Sequence, residues 1–226
     1  MGKDKVVAIV QSRLGSTRLP LKAFLNLHGK PLIDWTLERL AMATRLDGIV
    51  VAVPDTEMDA LLQKHVEAGG FRCVAGSEDD VLARFVLAAQ KANAGKIVRV
   101  CADNPLVWGE AVDRLVDFYG KNSCDYAYNH IPRNNLWPDG LGAEMISRDL
   151  LDEMDKKARE KSQREHCLNY IWDNSNDYRI ATFDPAEDWL KRPDLKLDVD
   201  RPADYVRLAQ RPLKPQMNAR EIVEIF

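Results

Sequence analysis

The chain has no apolar run near the ~18 to 20 residues that a membrane-spanning helix needs, so no span is expected. Its four cysteines, Cys73, Cys101, Cys124 and Cys167, stand singly, without a Cys-x-x-Cys pair. That disfavours a zinc ribbon or a dithiol redox motif and leaves reduced, partly buried thiols as the expectation. The four histidines, His28, His65, His130 and His166, show no metal-ligand spacing. Positive charge is not in excess: the net charge of −3 argues against nucleic acid as a partner. Two phosphate-binding signatures are also absent, the Gly-x-x-x-x-Gly-Lys-[Ser/Thr] loop and the Gly-x-Gly-x-x-Gly fingerprint. The opening MGKDKVVAIVQSR carries only a short apolar run between charges, too short for a signal peptide. A cytoplasmic protein is the expectation.

What is present is the composition of a soluble globular protein, 46% apolar and 30% charged over 226 residues, enough for a sizeable core. Acid is missing from one stretch in particular. No Asp or Glu occurs from Lys5 to Ile33, while Lys5, Arg13, Arg18, Lys22 and Lys30 all do. Within it, Val6 to Val10 reads as a buried strand, broken by a loop with Gly15, Ser16 and Thr17 and closed by Pro20. Such a loop can turn backbone N–H groups toward an anion, and Arg and Lys add a planar fork and a compact charge. Composition alone leaves a polyphosphate cradle and a solvated basic loop level.

Further on, apolar periodicity predicts a helix over Pro31–Leu46, a strand over Gly48–Val53, and a helix over Thr56–Ala68. A strand follows over Phe71–Ala75, then a helix capped by Ser77 and running to about Ala92, then a strand over Lys96–Cys101. Strand–helix alternation means a mainly parallel sheet, whose ligands bind beyond the carboxyl ends of the strands. That places the basic loop, Ala75-Gly76-Ser77 and Ala102-Asp103-Asn104-Pro105 on one rim. Asp103 there suits a Mg²⁺ site or a turn before Pro105; position alone favours the turn. The second half is less regular: a helix over Gly109–Asn122, strands near 125–129 and 142–147, a helix over Arg148–Lys161, and a second helix or a protruding segment over Ser162–Trp172. Tyr178–Phe183 reads as a strand. Leu195–Asp200 alternates like a half-exposed strand, which would put Asp198 and Asp200 on one face. A metal is one resolution of that pair; a cap on a helix started by Pro202 is the other for Asp200. Closing helices are expected over 201–210 and 218–226.

Six segments then come in order: Gln11–Pro20 (QSRLGSTRLP) with Lys22, Gly76–Arg84 (GSEDDVLAR), Val98–Leu106 (VRVCADNPL), Pro138–Leu141, Arg164–His166, and Val199–Tyr205 (VDRPADY). Together they resemble the cytidylyltransferases that make CMP-activated acidic sugars: the spore-coat polysaccharide biosynthesis branch and the CMP-Kdo and CMP-sialic acid synthetases. The resemblance implies a Rossmann-like three-layer α/β/α sandwich of the nucleotide-diphospho-sugar transferase type, with a mainly parallel central sheet. It implies a single domain over 1–226, with a nucleotide-binding half to about 107 and an acceptor-binding and dimerisation half from about 108, assembled as a homodimer.

It also implies roles. Arg13 and Lys22 would bind the CTP phosphates, with backbone amides from Gly15, Ser16 and Thr17. Gln11 and Arg84 join this nucleotide set, and Ala75, Gly76 and Ser77 would help read the base. Asp103 and Asp200 match Mg²⁺ ligands, and Asp198 matches a second acid of the sialic acid branch. Arg13, Lys22 and Asp103 are the candidate catalytic residues. Asp139, Glu144, Arg164, Glu165 and His166 are candidates for the acceptor: an acidic sugar, or a phosphorylated or phosphonate compound. A glycosyltransferase of the same fold and a non-catalytic nucleotide-binding subunit are the rival readings. Three positions depart from the family pattern. Leu21 stands where Gly is expected, Ala102 where Gly is commoner, and Gly142 where an acid often follows Gly140-Leu141.

Overall fold

The computed structural model describes residues 5–226, so the charges ahead of Lys5 lie outside the described residues. In chain order these form β1 (Val6–Gln11), a 3-10 turn (Lys22–Phe24), the hairpin β2 (Asn26–Leu27) and β3 (Lys30–Pro31), α1 (Leu32–Leu40), β4 (Gly48–Pro54) and α2 (Asp59–Ala68). Then come β5 (Arg72–Gly76), α3 (Val81–Ala92), β6 (Lys96–Cys101), α4 (Gly109–Lys121), β7 (Tyr126–Tyr128), β8 (Glu144–Ser147) and α5 (Arg148–Lys157). The chain closes with α6 (Lys161–Glu165), α7 (Asn169–Asp173), β9 (Ile180–Thr182), a 3-10 turn (Asp188–Leu190), α8 (Pro202–Ala209) and α9 (Ala219–Ile225).

Seven strands make one sheet in the order β5-β4-β1-β6-β8-β7-β9. The first four are mutually parallel. Strand β8 runs antiparallel to both β6 and β7, and β9 is parallel to β7. The mainly parallel α/β sheet expected from the sequence is therefore what forms. Because side chains alternate along a strand, β1 feeds both faces. Val7 and Ile9 pack with Leu82, Phe85 and Ala89 of α3 and with Leu151 and Met154 of α5. Ala8 and Val10 pack with Ile33 and Leu37 of α1, Leu62 of α2 and Leu115 of α4. Each such valine, leucine, isoleucine, phenylalanine or methionine side chain, fully buried, is worth about 1.5–3 kcal/mol. A third cluster gathers Trp35, Trp137, Leu197, Val199, Leu208 and Ile222, and seats the C-terminal segment against the rim of the sheet.

Four local readings need correction. Helix α1 ends at Leu40, not Leu46, because the amides of Thr44 and Arg45 donate to the Asp113 carboxylate at 2.9 and 2.8 Å. A long-range acceptor displaces the i−4 carbonyls. Helix α3 is capped by Asp80, whose side chain accepts from the Ala83 amide at 2.9 Å. Ser77 lies a turn earlier, and its hydroxyl accepts from the Asp80 amide. The helix expected over Ser162–Trp172 is two short ones, α6 and α7, broken at His166–Leu168. Finally, Leu195–Asp200 is not a strand. Its alternation is real, with Leu195, Leu197 and Val199 buried. Its amides, however, find single acceptors across the rim: Leu197 donates to the Asp139 carbonyl and Val199 to the Asp103 carbonyl at 2.9 and 2.8 Å.

Candidate active site

The basic loop leaves β1 at Ser12 and returns where the Leu21 amide donates to the Leu14 carbonyl at 3.1 Å. Buried Asp59 anchors it by accepting from the Leu14 amide at 2.8 Å. Of the amides expected to face a phosphate, that of Ser16 already donates to the Leu14 carbonyl. Leu21 has φ +57° and ψ +22°, the left-handed conformation that a glycine would take without strain. For a side chain as exposed as Leu21, that conformation costs about 1–2 kcal/mol, partly offset by glycine's larger unfolded-state entropy. Leu21→Gly is therefore expected to stabilise the protein by about 0.5–1 kcal/mol in urea unfolding. A destabilised variant would show that the leucine side chain contributes more than its backbone strain removes.

The strain delivers Lys22 to the rim. Its ammonium donates to Asp103 Oδ2 at 2.9 Å and to the Val199 carbonyl at 3.2 Å, and reaches Asp200 Oδ1 at 3.5 Å. Arg18 reaches the same Asp200 oxygen at 3.2 Å. Two carboxylates far apart in sequence, Asp103 and Asp200, thus converge on one cation-sized position. Asp198 does not share it: Lys196 holds Asp198 Oδ2 at 3.3 Å, and Asp198 Oδ1 is buried without a partner. Burial, only partly offset by Lys196, pushes the Asp198 carboxyl up. Asp139 sits in the same field. Burial and then Asp198 push its carboxyl up to about 7, with smaller contributions from Asp103 and Asp200.

Beside this cluster lies a cavity of about 370 Å³. Of the predicted residues, Gln11, Arg13, Ser16, Thr17, Lys22, Asp103, Glu165 and His166 line it. Arg18, Arg99 and Cys101 also line it, and these were not among the predicted site residues. The signal for Arg99 and Cys101 was available: polar residues two apart in an otherwise apolar strand point to one face.

Other predicted residues stand away from the wall. Arg84 is buried, donating to the Ser77 and Glu78 carbonyls, with Nε and Nη2 unpartnered. Burial and the nearby Arg13 charge lower its pKa. A Cβ on Gly76 would lie 3.2 Å from Arg84 Cγ, so Ala75, Gly76 and Ser77 pack round this arginine. Arg164 clamps Asp80 and Asp155, both at 2.5–2.8 Å, tying α6 to the cap of α3. Glu144 lies behind Arg99, where it accepts from Arg99 Nη1 and from the Tyr126 hydroxyl at 2.5 Å.

A helix-covered sheet whose first loop carries cations, beside carboxylates from two other rim segments, has the layout of a ligand site of the α/β class, at the carboxyl ends of the strands. Comparison with known proteins narrows the class. The cytidylyltransferase family model matches residues 7–216, and the chain belongs to that family. It is a CTP-using nucleotidyltransferase, as the six sequence segments implied. The spore coat polysaccharide biosynthesis protein SpsF of Bacillus subtilis is 30% identical over 232 residues, covering 99% of this chain and 94% of that protein. The 3-deoxy-manno-octulosonate cytidylyltransferase of Bdellovibrio bacteriovorus is 33% identical over 117 residues, covering 51% of this chain and 46% of its own. Among solved structures, a cytidylyltransferase from Leptospira borgpetersenii superposes with a TM-score of 0.88 at 26% identity, covering 98% of this chain and 93% of that one.

Proposed function

We propose that the protein transfers CMP from CTP to an acidic sugar, or to a related phosphorylated or phosphonate acceptor, with release of pyrophosphate and with Mg²⁺ as cofactor. The product would serve surface polysaccharide or glycoconjugate synthesis. The observation that carries this reading is the convergence of Lys22, Asp103 and Asp200 at the mouth of a cavity lined by Arg13 and Arg18. Among the described residues no group of three or more His, Cys, Asp or Glu forms a ready-made metal cage. Mg²⁺ does not need one, because it binds through one or two carboxylates plus substrate phosphates. Asp103 and Asp200, drawn to one ammonium, fit that requirement, and the unpartnered oxygen of Asp198 adds negative potential behind them. Bound there, the ion would polarise the α-phosphoryl group and neutralise the departing pyrophosphate.

The chain's own residues supply the rest. Arg13 and Lys22 hold the triphosphate and meet the charge that develops as the acceptor oxygen attacks the α-phosphorus in line. Glu165 and His166, which line the same cavity, would border the acceptor, and Gln11 the nucleotide. A glycosyltransferase would use Asp198-x-Asp200 as a shared cation pair, but here the two acids face different cations, Lys196 and Lys22.

Pyrophosphate release, measured with each of the four nucleoside triphosphates, Mg²⁺ and a panel of acidic sugars, phosphate and phosphonate acceptors, tests the reading. Release with CTP alone, dependent on one acceptor and lost in Asp103→Asn, is expected. Release with a different triphosphate would overturn the base assignment. Tight CTP binding without release would favour the non-catalytic subunit.

A further inference from the structure

The start of α2 inverts the usual pattern. Met58 and Leu61 are 52% and 61% exposed, while Asp59 between them is 2% exposed. An acid in the first turn of a helix gains from the dipole without leaving solvent, and aspartate is almost never fully buried unless paired. What Asp59 holds accounts for its burial. Its Oδ2 accepts from the Thr56 hydroxyl at 2.7 Å, and that hydroxyl accepts from the Asp59 amide at 3.0 Å, a ring local to the helix start. Its Oδ1 accepts from the Leu14 amide at 2.8 Å, 45 residues away in the basic loop. That second bond is buried and charge-assisted, so it is stronger than an ordinary amide–carbonyl pair.

Leu14 is the hub of that loop. Its carbonyl accepts from the Ser16 amide at 2.9 Å and from the Leu21 amide at 3.1 Å, which closes the loop on itself. Its side chain is buried and packs with Ala23 and with Leu62 of α2. Arg13 precedes Leu14, Lys22 follows Leu21, and both line the cavity. A planar trans peptide cannot turn its N–H without turning the attached carbonyl, here that of Arg13. The Asp59 contact therefore also sets the direction in which Arg13 leaves the backbone. Through the Leu14 carbonyl it sets the segment that ends at Lys22. Asp59 and Arg13 both act on the charge of buried Arg84, so the carboxylate shares a field with two guanidinium groups. We infer that Asp59, which is not among the residues lining the cavity, is a positioning residue: through Leu14 it aims Arg13 and Lys22 together at the nucleotide's phosphates. This rests on the cytidylyl-transfer reading and adds to it a residue of α2 that touches no substrate.

Asp59→Ala is expected to weaken CTP binding about 10- to 100-fold, the cost of a charge-assisted hydrogen bond, and CMP binding by no more than about threefold. Both affinities are read by equilibrium dialysis with labelled nucleotide, and folding by circular dichroism. The same substitution placed in an Arg13→Gln, Lys22→Gln double variant should weaken CTP binding by no more than about twofold further, because the side chains that Asp59 aims are gone. Asp59→Asn keeps an acceptor oxygen for the Leu14 amide without its charge. It should restore CTP affinity to within about three- to tenfold of wild type. Should Asp59→Ala fail to fold, Asp59→Asn enters the same cycle with that smaller loss. Equal losses of CTP and CMP affinity, or a loss undiminished in the double variant, would show that Asp59 supports only the fold, and would overturn the inference. So would CTP binding unchanged in Asp59→Ala. Wild-type protein that binds no CTP at all would overturn the cytidylyl-transfer reading itself, and this inference with it.

Discussion

Lys22→Ala is expected to lower turnover about 10²–10³-fold, the usual cost of removing one donor aimed at developing charge. The side chain is four-fifths buried and contacts Asp103, the Val199 carbonyl and Asp200, of which Arg18 also reaches Asp200. Its loss leaves two carboxylates facing each other without the shared cation. The same variant should therefore bind Mn²⁺ more tightly than wild type when no nucleotide is present, measured by electron paramagnetic resonance. The two readouts move in opposite directions, which separates loss of a functional cation from general damage. Reduced turnover with weaker Mn²⁺ binding would mean that the carboxylate pair had collapsed, and that Lys22 was a scaffold.

Gly142→Asp should be the most damaging single change to stability. A Cβ at Gly142 would lie 2.2 Å from the Asn129 carbonyl oxygen and 2.3 Å from its side-chain oxygen. Asn129 cannot give way. It is fully buried, its side chain donates to the Ala111 carbonyl at 2.9 Å, and it accepts from the Ala143 amide at 2.9 Å. Overpacking alone costs about 1–3 kcal/mol, and a buried carboxylate without a partner adds several more. The expected loss is about 4 kcal/mol or more, read by thermal melting, with Gly142→Ala intermediate. A melt within a degree or two of wild type would show that the loop 129–143 is free to move apart. The same contact leaves no room for an acid at position 142: Asn129 fills it.

Much of this was legible in the residues themselves. Val6–Val10, Gly48–Val53 and Lys96–Cys101 are apolar runs between turn residues, and all three became parallel strands of the sheet. The acid-free loop announced a positive field, and Arg13 and Lys22 both line the rim cavity. The departures from expectation share one cause: acceptors distant in sequence. Asp113 stops α1, and the Asp139 and Asp103 carbonyls hold Leu195–Asp200 as single crossings instead of a ladder. No periodicity encodes such a partner. Glu144 and Arg164 show the same limit at the level of chemistry. Their charge was visible, but only the fold decides that Arg99 and Asp80 meet them first. Leu21 went the other way: the left-handed demand was readable as a missing glycine, and the backbone meets it despite the side chain.

The most direct measurement follows the α-phosphorus. CTP radiolabelled at that atom would be incubated with the enzyme, Mg²⁺ and the acid that supports pyrophosphate release. Label recovered in a new CMP ester of the acid, with unlabelled pyrophosphate in equal amount, is the predicted result. Label found only in free CMP or CDP, with no ester formed, would contradict cytidylyl transfer.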